Sequence, residues 1–144
     1  MLGARNRHAL TVEQIATRVL EWTALCGDDA VPLDLSEAAH SGTRTRFDEN
    51  VGIVFLGANV LPGEGTDANS RMSALACLAH EFSHYERLKI GFARPYTLPD
   101  VLLDEAEASI AASFNPVITS RDRVDLVEDA RDRLDHWLRI KNEE

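Results

Sequence analysis

The chain has 144 residues, which is enough for one domain with a hydrophobic core that needs no disulfide bridges. Its formal net charge of −9 and its pI near 5.0 argue against direct binding to nucleic acid, whose phosphates are also negative. The sequence has two cysteines without a C-x-x-C pair, no signal-peptide pattern and no apolar run approaching about 18 residues. These features predict a cytoplasmic protein without a membrane span.

We expect a single domain over residues 1–144, in which residues 1–10 form a loose lead-in. Thr11 and Gln14 have the spacing of a capping box, which predicts a first helix that ends at Gly27. Further patterns predict an extended segment at 31–33, a short helix at 34–39, strands at 43–47 and 51–56, a loop at 57–69, and helices at 70–88, 101–114 and 120–141. This order predicts an α+β domain, with a few helices packed on a small antiparallel sheet.

The last predicted helix is strongly charged. Helical periodicity predicts an inner side that carries Val124, Val127, Leu134 and Leu138. Asp129 and Arg133 have i,i+4 spacing, and we expect this pair to lie on a solvated outer face.

The helix at 70–88 contains the pattern H-E-x-x-H, from His80 to His84. Two histidines four residues apart lie on one face of a helix, and their neutral imidazoles can bind one Zn²⁺ at about 2.0–2.1 Å. Glu81 lies on the same turn and can take a proton from a zinc-bound water without being a ligand. A catalytic zinc site needs a third protein ligand, so the pattern predicts one elsewhere in the chain.

Three carboxylates on the next predicted helix are candidates for this third ligand. We favour Glu105, because it is aligned with the small residues Ala108, Ser109 and Ala112, which allow close approach to the motif helix. Glu107 is the alternative, and Asp104 ranks behind both.

Three segments together resemble the ImmA/IrrE-like zinc metallopeptidases, a family of the gluzincin type. The resemblance lies in Val31-Pro32-Leu33-Asp34-Leu35, in Ala79-His80-Glu81 with His84, and in Glu105-Ala106-Glu107-Ala108-Ser109. It extends from about Thr11 to Pro116 and implies a zincin-like minimal metallopeptidase domain. Ser109 stands where the family usually has Asn, at a position that commonly orients a zinc-binding histidine, so we expect a weaker site.

The resemblance implies a zinc-dependent endopeptidase in regulatory proteolysis, such as a stress response. Its expected substrate is a separately encoded protein, for example a DNA-binding repressor. Glu81 is the expected general base, and Tyr96, Arg94 and His136 are candidate donors to the developing oxyanion. Two alternatives stay open: a zinc-stabilised protein-interaction module without turnover, and a metal-dependent hydrolase or toxin that acts on a non-protein substrate.

Overall fold

The computed structural model describes residues 5–92 and 94–143. Within them, five α-helices and three short strands follow in the order α1 (Val12–Cys26), β1 (Leu33–Asp34), β2 (Arg46–Asp48), β3 (Ile53–Phe55), α2 (Ala68–Arg71), α3 (Ala74–Lys89), α4 (Asp100–Ala112) and α5 (Ser120–Asn142). A 3-10 turn over Ala58–Val60 follows β3. The domain is therefore α+β, as the order of sequence patterns predicted.

The sheet is mixed, so the prediction of an antiparallel sheet was wrong. Its order is β1-β3-β2, in which β2 is antiparallel to β3 but β1 is parallel to it, with Leu33 opposite Val54. The parallel strand begins at Leu33, at the end of the predicted extended segment 31–33, and no helix forms at 34–39, so the prediction of a short helix there was wrong. In that segment the Asp34 carboxylate accepts a hydrogen bond from the backbone of Ser36, and the chain continues in turns.

Helix α3 occupies the centre of the domain and packs against α1, α4, α5, β2 and β3. Its start is fixed by Ser73, whose side chain accepts a hydrogen bond from the backbone N–H of Ala76. This cap divides the helix predicted at 70–88 into α2 and α3. On the α1 side, the rings of Trp22 and Phe82 meet edge to face with centroids 5.8 Å apart.

Helix α5 presents to the interior a different face from the one that periodicity predicted. Leu126 is fully buried, whereas half of the Leu138 side chain is exposed, at 51%. The residues predicted to face inward are all exposed, namely Val124, Val127, Leu134 and Leu138. Buried acids lie on the inner face instead, namely Asp122, Asp125 and Asp129. The solvated face that we predicted for Asp129 and Arg133 is therefore an interior face.

The start of the chain also differs from the expected loose lead-in. Residues 1–4 lie outside the described part, but Arg5 is buried. Its guanidinium donates hydrogen bonds of 2.5–2.9 Å to four backbone carbonyl groups, those of Asn59, Val60, Asn69 and Met72. These bonds fix the N-terminal segment to the stretch between β3 and α3, which contains the 3-10 turn and α2. Among the described residues, no helix combines the length and the apolar character needed to cross a bilayer.

Candidate metal centre

Three side chains from α3 and α4 bring one possible ligand atom each to the same point. His80 Nε2 lies 2.7 Å from Glu105 Oε2 and 3.1 Å from His84 Nε2, and the His84 Nε2–Glu105 Oε2 distance is 3.3 Å. Ligands about 2.05 Å from a tetrahedral zinc lie about 3.3 Å apart, so these distances are near those of a formed site. Within the described residues, these three form the one group of His, Cys, Asp and Glu side chains close enough to hold an ion.

Glu81 lies beside these three residues at the floor of a cleft, where its side chain is buried. Its Oε2 atom has no hydrogen-bond partner among the described residues. A buried carboxylate oxygen without a partner is unfavourable, so a polar group bound at the centre would relieve it. The residues present therefore fit a bound metal with an associated water.

Glu105 reaches the histidines because α4 approaches α3 closely. Ala106, Ala108 and Ala112 of α4 are essentially fully buried. The hydroxyl oxygen of Ser83 on α3 lies 2.7 Å from the backbone carbonyl oxygens of both His80 and Ala108, and its one proton can be donated to either. The small residues expected to permit this approach are thus at the helix contact.

The two other carboxylates considered as ligands lie elsewhere. Glu107 accepts 2.8 Å hydrogen bonds from Arg87 and Arg94, away from the three ligand atoms. Asp104 lies behind His84, with its Oδ2 3.5 Å from His84 Nδ1 and its Oδ1 2.8 Å from Arg87 Nη2. Asp104 is therefore placed to orient an imidazole through the nitrogen that faces away from Glu105.

Ser109, the expected orienting residue, contacts the other imidazole. Its Oγ lies 2.8 Å from His80 Nδ1 and 2.6 Å from Asp129 Oδ2 on α5. Asp129 also accepts a 2.8 Å hydrogen bond from Arg133 Nε, and Arg133 Nη1 lies 3.5 Å from Glu105 Oε2. Both histidines thus have a polar side chain at the ring nitrogen remote from Glu105.

Charges around the centre shift the pKa values of its groups. Burial alone would raise the pKa of Glu105, but hydrogen bonds from His80 and His84 hold it well below its usual range. Burial alone would lower the pKa of His84, but the hydrogen bond to Glu105 and the nearby carboxylates raise it to about 8. Burial raises the pKa of Glu81, against the opposing effect of the two imidazoles. A carboxylate with a raised pKa is suited to accept a proton near neutral pH.

The cleft above these residues has a volume of about 1210 Å³. Among its lining residues are two of the candidate oxyanion donors, Tyr96 and His136. Burial, followed by the charges of Glu49 and Glu105, raises the pKa of Tyr96 to about 12, so its phenol keeps its proton. The third candidate, Arg94, is held by Glu107 and does not line this cleft.

Asp129 and Arg133 are the site residues that the sequence interpretation missed. The available signal was the spacing of Asp122, Asp125 and Asp129, which repeats as a buried helix face does. Acidic residues at that spacing ordinarily indicate a solvated face, and only their partners on other elements make burial favourable. Arg71 lies 3.0 Å from Asp125, in the same way that Ser109 lies against Asp129.

Comparison of this chain with protein-family models, with curated proteins and with solved structures found no match.

Proposed function

We propose that this protein is a zinc-dependent metalloendopeptidase of the zincin type, in which His80, His84 and Glu105 bind Zn²⁺. The observation that carries the proposal is the convergence of their three ligand atoms within 3.3 Å beside the buried carboxylate of Glu81. Two imidazoles and one carboxylate are a common ligand set of catalytic zinc.

The arrangement supports a catalytic site rather than a purely structural one. Structural zinc sites are usually closed by four protein ligands, whereas catalytic sites keep one position for water or substrate. Here three ligands lie at the floor of a cleft, and the neighbouring Glu81 can act on a molecule bound there. An interaction module without turnover would have no use for an unpartnered carboxylate at this point.

The side chains have distinct roles in the proposed reaction. A bound zinc would supply Lewis-acid polarisation of the substrate carbonyl and would lower the pKa of a coordinated water to about 7. Glu81 accepts the proton of the attacking water and then delivers it to the leaving amine. Tyr96, which keeps its proton because its pKa is about 12, donates a hydrogen bond to the oxyanion. Arg133 lines the cleft and keeps a positive charge beside Glu105.

The proposed substrate is an extended protein segment, as in a separately encoded DNA-binding repressor. β2 is an edge strand of the sheet, and its residues Arg46 and Phe47 line the cleft. An extended segment could add to this edge through backbone hydrogen bonds and so run past Glu81. The resemblance of the sequence to regulatory peptidases is what favours a repressor among protein substrates.

The test compares the zinc-loaded wild type with Glu81→Gln on a mixed-sequence peptide library, with cleavage read by mass spectrometry. We expect wild type to cut a subset of peptides and Glu81→Gln to lose about 10²–10⁴-fold in rate, since general acid–base catalysis contributes that much. Both proteins should bind one equivalent of zinc, because Glu81 is not a ligand. Equal cleavage by the two proteins would contradict the mechanism.

Removal of the metal with a chelator distinguishes a catalytic zinc from a structural one. The apolar core is large for a domain of this size and includes the fully buried side chains of Val54, Leu78 and Leu126, so we expect the fold to persist without a metal. We therefore expect the chelated protein to keep its far-ultraviolet circular dichroism and to lose cleavage. Unfolding on chelation would indicate a zinc-stabilised interaction module instead.

A further inference from the structure

The hydroxyl of Ser109 lies between a proposed zinc ligand and a carboxylate from another helix. Its Oγ is 2.8 Å from His80 Nδ1 and 2.6 Å from Asp129 Oδ2. Ser109 is 0% exposed and Asp129 is 2% exposed, so solvent does not compete for these contacts. The three groups form a continuous path from α5 through α4 to α3.

The chemistry of this path sets the direction of its hydrogen bonds. A serine hydroxyl has one proton, and an ionised carboxylate can only accept. A 2.6 Å separation is typical of a hydroxyl that donates to a carboxylate, so the Ser109 proton is directed to Asp129. Ser109 Oγ then offers a lone pair to His80, whose Nδ1 must carry a proton. In the neutral imidazole with its proton on Nδ1, Nε2 carries a lone pair that can bind a metal.

Loss of Asp129 would remove the acceptor that fixes the direction of the Ser109 hydroxyl proton. The Ser109 hydroxyl could then donate to His80 Nδ1, which favours the tautomer with a proton on Nε2. Glu105 Oε2, 2.7 Å from that nitrogen, would further stabilise the proton there. An imidazole in this state must exchange its proton before it can bind zinc, and the apparent affinity falls accordingly.

We propose that Asp129 is a positioning residue that acts on His80 through the hydroxyl of Ser109 and thereby sets the zinc affinity of the centre. This inference rests on the proposed zinc site. Arg133, whose Nε lies 2.8 Å from Asp129 Oδ2, holds the carboxylate in place from the next turn of α5.

The experiment measures Zn²⁺ affinity by competition with a chromophoric chelator for Asp129→Ala, Ser109→Ala and the double variant. A change in the groups that orient a metal-bound histidine typically costs about 10–100-fold in metal affinity, and we expect that loss for each single variant. Because Asp129 acts through Ser109, the double variant should lose no more than Ser109→Ala alone. A purely structural Asp129 would instead give additive losses or none.

Two further variants control for folding. Asp129→Asn keeps a carbonyl oxygen as acceptor, so it should retain an affinity within a few-fold of wild type. Asp125→Ala removes a buried acid one turn earlier, which pairs with Arg71 and touches no proposed ligand, so it should destabilise the fold without weakening zinc binding. If the affinities of Asp129→Ala and Asp125→Ala are equal, the inference is overturned.

The readout also separates this inference from the proposed function. Zinc affinity is measured without any peptide, so a wild type that binds zinc but cuts nothing would refute the peptidase and still test Asp129. A wild type that binds no zinc would refute the metal site itself. Equal affinity of wild type and Asp129→Ala would refute the positioning role alone.

Discussion

Helices α3 and α5 both bury polar side chains, but they do so in different ways. On α3, His80, Glu81 and His84 gather at one point, where the imidazole nitrogens His80 Nε2 and His84 Nε2 lie 3.1 Å apart. The two imidazoles lie against Glu105, and one oxygen of the neighbouring Glu81 has no partner among the described residues. The polar groups of α3 are arranged so that one bound group, such as a metal ion with its water, could contact all of them.

On α5 each buried acid has its own partner from a separate part of the chain. Asp122 Oδ1 accepts a 2.7 Å hydrogen bond from Ser73, the residue that caps α3. Asp125 lies 3.0 Å from the guanidinium of Arg71. Further along the helix, Asp129 bonds to Ser109 and Arg133. These acids fasten α5 to three other elements, and the last of them also contacts the candidate metal centre.

The difference shows that buried polar residues that share one bound ion can be recognised in a sequence, whereas buried polar residues with separate partners cannot. A set of residues that acts on one ion has fixed types and spacing on one helix, and the H-E-x-x-H pattern reveals it. A set of residues that is satisfied one by one depends on partners 20 to 54 positions away, and no local pattern records them.

The largest expected effect on the difference between α3 and α5 comes from removing a proposed zinc ligand from the candidate metal centre. Glu105→Gln should abolish stoichiometric zinc binding, whereas Glu107→Gln should leave it intact, because Glu107 accepts hydrogen bonds from Arg87 and Arg94 and is outside the group of three ligand atoms. Metal content after gel filtration in excess zinc measures both. Zinc retained by Glu105→Gln and lost by Glu107→Gln would assign the third ligand to Glu107.

A matched pair of leucines tests the orientation of α5. Leu126→Ala removes a side chain with no exposed surface and should cost about 2–5 kcal/mol in the free energy of unfolding. Leu138→Ala truncates a side chain that is 51% exposed, so its effect should stay within about 0.5 kcal/mol. Urea denaturation measures both values. The opposite ranking would restore the orientation that the apolar spacing predicted.

The pH dependence of the stability of the metal-free protein tests the electrostatics of the candidate metal centre. Because the pKa of His84 is raised from 6.5 to about 8, its protonated form stabilises the fold. This contribution, about 2 kcal/mol, is complete below about pH 6.5 and is lost as the pH rises through 8. Thermal melts in chelator between pH 6 and 9 measure it.

The same titration has the opposite effect on metal binding. Zinc requires the neutral imidazole of His84, so its affinity should rise over the pH range in which the metal-free fold loses stability. His84→Gln serves as the control, since it should remove this part of the pH dependence of the melts. An unchanged pH profile in that variant would contradict the assignment to His84.

The smallest expected effect concerns the helix caps. Thr119→Ala removes the side chain that caps α5 and should cost about 1 kcal/mol. Ser73→Ala removes the cap of α3 and also leaves Asp122 without a hydrogen-bond donor from α3, so it should cost more. Equal losses of unfolding free energy would show that the contact between Ser73 and Asp122 contributes nothing.

Several parts of this domain were predictable because they depend on local spacing. The capping box at Thr11, the stop at Gly27 and the last three helices follow from backbone hydrogen bonding and a period of 3.6 residues. The same period places His80 and His84 on one face. The position of Glu105 beside the two histidines was expected from the small residues that let α4 approach α3, and its role as a ligand stays a prediction.

The sequence by itself thus determined which residues share a helix face, because that depends only on helical geometry. Only the tertiary structure decided which face of α5 is buried, because leucines occur around more than one side of this helix: Leu126 is buried, whereas Leu134 and Leu138 are exposed. Burial of Asp129 depends on hydrogen bonds to Ser109 and Arg133, and long-range partners of this kind form when the chain packs. The parallel pairing of β1 with β3 was decided in the same way, by which segments meet in the folded domain.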